Sequence, residues 1–191
     1  GKFSVAMAVV SGAIRIETVR LEWQAQIERC LDTRLRVCFL NSHEHVHMLP
    51  SLLPVARALA GEFGIAHLRF PTSRLGWSSS GGPFLRSAIM KALEAINRRR
   101  VSIPAAHFLG METSGKLDLS FFQQNIPQLC AGRVYELMCH PGQFDAREAS
   151  DPRLVRYHDW EGELRALTDP AARELLQRHG VRLVGFRHVE V

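Results

Sequence analysis

Val37-Cys38-Phe39-Leu40-Asn41-Ser42-His43-Glu44-His45-Val46-His47-Met48-Leu49-Pro50 runs a short apolar block straight into three alternating histidines. Val37 to Leu40 is rich in strand formers and predicts a buried strand. Where helices flank parallel strands, chemistry gathers at the carboxyl ends of those strands. An extended chain puts alternate residues on one side. At a rise of about 3.3 Å per residue, His43 and His45 lie about 6.6 Å apart, and His43 and His47 about 13 Å. A metal–nitrogen bond spans only about 2.0–2.1 Å, so one ion takes one or two of these imidazoles unless the chain curls. The others then orient a ligand or touch substrate. Histidines can also simply line a solvated loop. Three within five residues at a strand end favour a functional site.

Working outward, Glu17 to Leu31 carries Val19, Leu21, Trp23, Ile27 and Leu31 among polar residues and predicts an amphipathic helix. Leu49 to Phe63 predicts a helix with Pro50 and Pro54 near its start and Gly64 at its end. Ile65 to Phe70 predicts a strand stopped by Pro71. Phe84 to Arg98 predicts a helix and Ala105 to Leu109 a strand. Asp118 to Leu129 predicts a helix broken near Pro127, and Val134 to Cys139 a fourth strand. Glu161 to Leu167 and Pro170 to His179 predict helices, the second with Asp169 as N-cap. Val181 to Phe186 predicts a last strand. Alternating strands and helices indicate an α/β fold with a mainly parallel sheet, either open or closed into a barrel.

A second motif follows the fourth strand. In Glu136-Leu137-Met138-Cys139-His140-Pro141-Gly142-Gln143-Phe144-Asp145, His140 leaves the strand into a Pro-Gly turn. It is a candidate acid. Asp145 either orients His140, approaches a metal, or merely shapes the turn. Cys139 faces the opposite way from His140, which disfavours a Cys–His nucleophilic pair. Arg98-Arg99-Arg100 reads as a solvated helix end, where cations suit the helix dipole. No aromatic residues interleave there as nucleic-acid binding would require. Trp77, in the Gly/Ser-rich stretch 75–83, either stacks on a sugar or pins its loop.

The chain has 191 residues, 46% of them hydrophobic and 23% charged, with a net charge of +5. That is a globular composition of about one domain, and it excludes a disordered or collagen-like chain. No apolar run reaches the roughly 18 residues of a membrane helix. The four cysteines, Cys30, Cys38, Cys130 and Cys139, have no CxxC spacing. A reducing, cytoplasmic setting fits them best. The opening Lys2 to Val10 reads as a buried segment rather than a signal peptide.

The segments 41–50 and 135–142 resemble the YdjC-like carbohydrate deacetylases, a family that includes chitooligosaccharide deacetylases and deacetylase-like proteins of hopanoid biosynthesis. The likeness continues through Glu22 to Glu28, Leu68-Arg69-Phe70-Pro71 and Glu163 to Thr168. The resemblance implies a distorted (β/α) barrel, a divalent metal (magnesium or zinc) and removal of acetyl groups from N-acetylated sugars. It implies His43 as a metal ligand, with His45, His47, Arg69 and Glu136 about the pocket or substrate. His140, with Asp145, takes the catalytic role. Asn41 stands where relatives often carry aspartate. The family's Asp-Asp and Gly-x-His motifs are absent, for the six aspartates here are never adjacent.

From this the expectation is a single domain over residues 1–191, the later part of a barrel lacking its first strands. Unpaired sheet edges then favour self-association. The sequence offers no evident general base, because an extended chain turns Glu44 away from His43 and His45. Little deacetylase activity is therefore expected of the chain alone. Two other readings stay open: an amidohydrolase or PHP-type phosphoesterase, and a non-catalytic family member.

Overall fold

The computed structural model describes residues 4–72, 82–99, 106–149 and 151–188. The chain divides into two compact units. The first comprises Gly1–Pro71, Met90–Ala105 and Gly185–Val191, and the second Thr72–Ile89 and Ala106–Val184.

The first unit opens with helices α1 (Ser4–Val10) and α2 (Ile16–Asp32), strand β1 (Phe39–Leu40) and a 3-10 segment over His43–Met48. Helix α3 (Leu53–Glu62) and strand β2 (His67–Leu68) follow. β1 and β2 pair in parallel, Phe39 opposite His67 and Leu40 opposite Leu68. Ile27 of α2 packs with Leu59, Ala60 and Ile65, flanked by Trp23 and Phe63. Val9, Val19 and Leu52 form a second apolar cluster. Removing such side chains from water at about 25 cal/mol per Å² holds α2 on α3. The exposed Arg20–Glu62 ion pair between them, at 2.9 Å, adds little. Helix α4 (Gly82–Arg98) brings its C-terminal half to this unit, where buried Asn97 donates through Nδ2 to the Met48 carbonyl at 2.8 Å.

The second unit holds β3 (His107–Leu109), α5 (Leu119–Asn125), β4 (Tyr135–Leu137), α6 (Pro152–Tyr157), α7 (Trp160–Thr168) and α8 (Pro170–Arg178). β3 and β4 pair in parallel, with Phe108 opposite Glu136. Leu117, Phe121, Phe122, Ile126, Ala166 and Ala172 form its core, with Leu109 and Leu137 of the strands against it. Asp118, Asp151, Asp159 and Asp169 each cap a helix by accepting a backbone N–H within its first turn.

Several expectations need correction. Val181 to Phe186 is not a strand. Leu183 is 77% exposed, Val184 is also exposed, and Phe186 enters a 3-10 turn over Phe186–His188. Without a neighbouring strand to accept its backbone hydrogen bonds, this segment gains nothing by extending. Helix α3 begins at Leu53 rather than Leu49, with Pro54 in its first turn and Pro50 in the turn before it. The opening segment is a helix of which Val9 is buried while Val5, Met7 and Val10 are exposed. α6 arises where no helix was expected, although Asp151-Pro152 is a cap followed by a first-turn proline. Trp77 and Arg100 lie outside the described residues.

Candidate active site

The histidine run does not stay extended. Glu44 (φ 52°, ψ 24°) and His45 (φ 57°, ψ 28°) both adopt the left-handed conformation inside the His43–Met48 segment. Each costs of order 1–2 kcal/mol for a residue with a Cβ, so the surroundings must hold the loop. Ser42 and His47 do so. The Ser42 hydroxyl accepts the His47 N–H at 2.9 Å and lies 2.6 Å from His47 Nδ1. His47 Nε2 lies 2.8 Å from the Arg69 carbonyl.

A carbonyl only accepts, so Nε2 carries the proton and Nδ1 takes the serine hydroxyl's hydrogen. Both nitrogens of His47 are thus engaged, and its side chain is 1% exposed. Burial above all, partly offset by the hydrogen bond to the Arg69 carbonyl and joined by the Arg69 charge, lowers its pKa to about 4. The resemblance implies His47 about the pocket; in the structure its ring pins the loop to the residue after β2. His43 is exposed and His45 half-buried, its ring 6.3 Å from that of His47. Arg69 rests its guanidinium 5.1 Å from the Phe39 ring centre. Two left-handed residues also redirect Glu44, so the extended-chain reason for setting it aside no longer holds.

In the second unit, Met138-Cys139-His140 follow β4 into an irregular segment, and no turn forms at Pro141-Gly142, where the sequence predicted one. The His140 N–H donates to Glu163 Oε2, and Glu163 Oε1 accepts the Leu117 N–H at 3.2 Å. Glu163 is buried on the inner face of α7. His140 Nδ1 is buried without a hydrogen-bond partner among the described residues and lies 3.8 Å from Glu163 Oε2, while the side chain as a whole remains 35% exposed. The His140 and His158 rings lie 4.8 Å apart, His158 stacks on Trp160 at 5.3 Å, and Trp160 stacks on Phe144 at 5.9 Å. A row of rings therefore leads from His140 to exposed Phe144. Gly115, at φ 82°, passes beneath His158, and a Cβ there would meet the Tyr157 carbonyl at 2.8 Å. Burial, and then the negative charge of Glu163, push the Cys139 thiol pKa up, the wrong direction for a thiolate nucleophile.

Asp145 is exposed, and its Oδ1 accepts the Arg147 N–H at 2.8 Å, the contact of a turn aspartate. Glu136 lies mid-strand, half-buried, opposite Phe108. Glu163, His158 and Trp160 were given no role from sequence. For Glu163 the signal was present: it shares a helix face with Ala166 and Leu167, which are core-facing. Among the described residues, no three or more His, Cys, Asp or Glu side chains are grouped to hold a metal ion. His47 is spent on Ser42 and Arg69, while His43 is exposed. The described residues therefore do not fit a complete metal centre.

Comparison with known proteins places this geometry in a lineage. The model for YdjC-like protein matches residues 1–178. The chain is 29% identical over 195 residues to a chitooligosaccharide deacetylase of Escherichia fergusonii, covering 99% of this chain and 68% of that protein. It is 26% identical to a carbohydrate deacetylase of Mus musculus, covering 96% and 66%. A carbohydrate deacetylase of Geobacillus stearothermophilus is 27% identical, covering 98% and 65%. This chain thus spans about two thirds of the length of these curated relatives. A crystal structure from Enterococcus faecalis V583, of a protein described as a candidate cellobiose-phosphate cleavage protein, superposes with a TM-score of 0.65. At 19% identity, over 94% of this chain and 63% of that one, it shows a shared fold. With the family model covering both histidine motifs, the chain belongs to the YdjC-like protein family.

Proposed function

We propose that this chain takes part in hydrolytic removal of acetyl groups from N-acetylated sugars, on a distorted (β/α) barrel. The observation that carries the reading is the family match over 1–178, with relatives named as carbohydrate and chitooligosaccharide deacetylases. The geometry of His140 supports it. An imidazole held at its backbone by a buried carboxylate and still 35% exposed can give a proton to a departing amine or to a developing oxyanion. Such proton transfer typically contributes 10²–10⁴-fold in rate. The flat rings of Trp160 and Phe144 beyond it suit the apolar face of a pyranose.

His43 is proposed as a ligand of a divalent cation, magnesium or zinc, with the remaining ligands outside the described residues. No step is routed through that ion. Ser42 and His47 hold His43's loop, and no residue is assigned as general base. In the full family pattern the Asp-Asp and Gly-x-His motifs complete the site, and neither occurs in this sequence. The 191-residue chain should therefore release acetate from N-acetylglucosamine oligomers far more slowly than the Escherichia fergusonii relative measured beside it. Equal rates would overturn that expectation. Release of phosphate from phosphate esters, with no acetate from sugars, would overturn the deacetylase reading in favour of a phosphoesterase.

A further inference from the structure

Glu163 is 1% exposed, and glutamate is almost never that deeply buried unless it is paired. Two backbone donors, Leu117 N–H and His140 N–H, meet its two oxygens. Among the described residues, the basic side chain within ion-pair reach of it is His140, Nδ1 to Oε2 at 3.8 Å. That same Nδ1 is buried with no hydrogen-bond partner among the described residues. A buried ring nitrogen without a partner is costly, and the adjacent acceptor is a carboxylate oxygen already tethered to the same residue's backbone.

We infer that Glu163 is the positioning residue of His140: it draws the ring proton to Nδ1 and so presents Nε2 as the nitrogen that exchanges protons with substrate. The separation is longer than a hydrogen bond. Catalytic hydrogen bonds in unliganded sites are often long and tighten when substrate binds. The logic is that of a carboxylate orienting a catalytic imidazole through one nitrogen to set the tautomer at the other. Asp145, one of whose readings from sequence was this task, accepts the Arg147 N–H. The role of Nε2 in the reaction rests on the deacetylase reading, whereas the tautomer does not.

The test is nitrogen-15 NMR of the His140 ring in the 191-residue chain, at a pH where the ring is neutral. The expected spectrum has the proton on Nδ1 and a bare Nε2. Glu163→Met removes the acceptor at similar volume and should lose that preference, moving the proton to Nε2 as in free histidine. A wild-type ring protonated on Nε2 would overturn the inference, as would a folded Glu163→Met protein that keeps the proton on Nδ1. Should Glu163→Met fail to fold, the wild-type spectrum decides alone. Adding an N-acetylglucosamine trimer separates the two readings. An Nδ1-protonated ring with no response to sugar sinks the deacetylase reading and leaves this inference standing. An Nε2-protonated ring that responds to sugar does the reverse.

Discussion

His47 shows what spacing alone misses. Alternation along an extended chain put it in line with His43 and His45, but Glu44 and His45 turn left-handed and swing it inward. The letters Ser-His-Glu-His-Val-His announce that turn only faintly, because glutamate rarely adopts it, although histidine is among the non-glycine residues enriched there. What the residues do announce is position: a histidine cluster follows β1, and His140 follows β4. The buried, neutral imidazole carries a prediction. Unfolded, His47 binds its proton near 6.5, and folded it resists until about 4. Between those values the unfolded chain holds more protons, so stability is full above 6.5 and falls as pH drops through the window. The loss is about 3 kcal/mol by linkage, at 1.36 kcal/mol per pKa unit. Urea unfolding of the wild type should show that slope between pH 6.5 and 4, and His47→Gln should flatten it. Identical slopes in the two proteins would contradict the assignment.

At the scale of elements, sequence reading succeeded where local signals and tertiary packing agree. α2, α4 and α8 lie close to where their apolar periodicity puts them. α5 gives way to a 3-10 turn at Ile126–Gln128, which contains Pro127. The Asp169 cap, with Pro170 behind it, was readable directly. The Val181 to Phe186 strand failed because β-forming residues specify a strand only when a neighbour supplies its hydrogen bonds. The partnership of Glu163 with His140 was hidden for a similar reason: it joins residues 23 positions apart on a helix and a strand end. Gly115 tests how tightly that corner is built. Its φ of 82° and the 2.8 Å approach of a Cβ to the Tyr157 carbonyl leave no room for a side chain. Gly115→Ala should cost more than about 1 kcal/mol in chemical denaturation and displace the amide signals of Tyr157 and His158. A substitution neutral in both measurements would show the corner to be slack.

For the whole molecule, family membership and an α/β pattern with parallel strand pairing were within reach of the sequence, because the two histidine motifs are specific and helical and strand-like stretches alternate along the chain. Barrel closure and the metal are proposals that rest on resemblance, and self-association is one that rests on unpaired sheet edges. The central claim is that the His140 corner serves an N-acetylated sugar. It is tested most directly by following backbone amide signals of the chain during titration with an N-acetylglucosamine trimer, and with cellotriose, which lacks acetyl groups, as the comparison. The account predicts saturable shifts concentrated at Met138 to Phe144 and Trp160 with the acetylated trimer, and markedly weaker ones with cellotriose. No saturable shift at these residues, or the same response to both sugars, would contradict it.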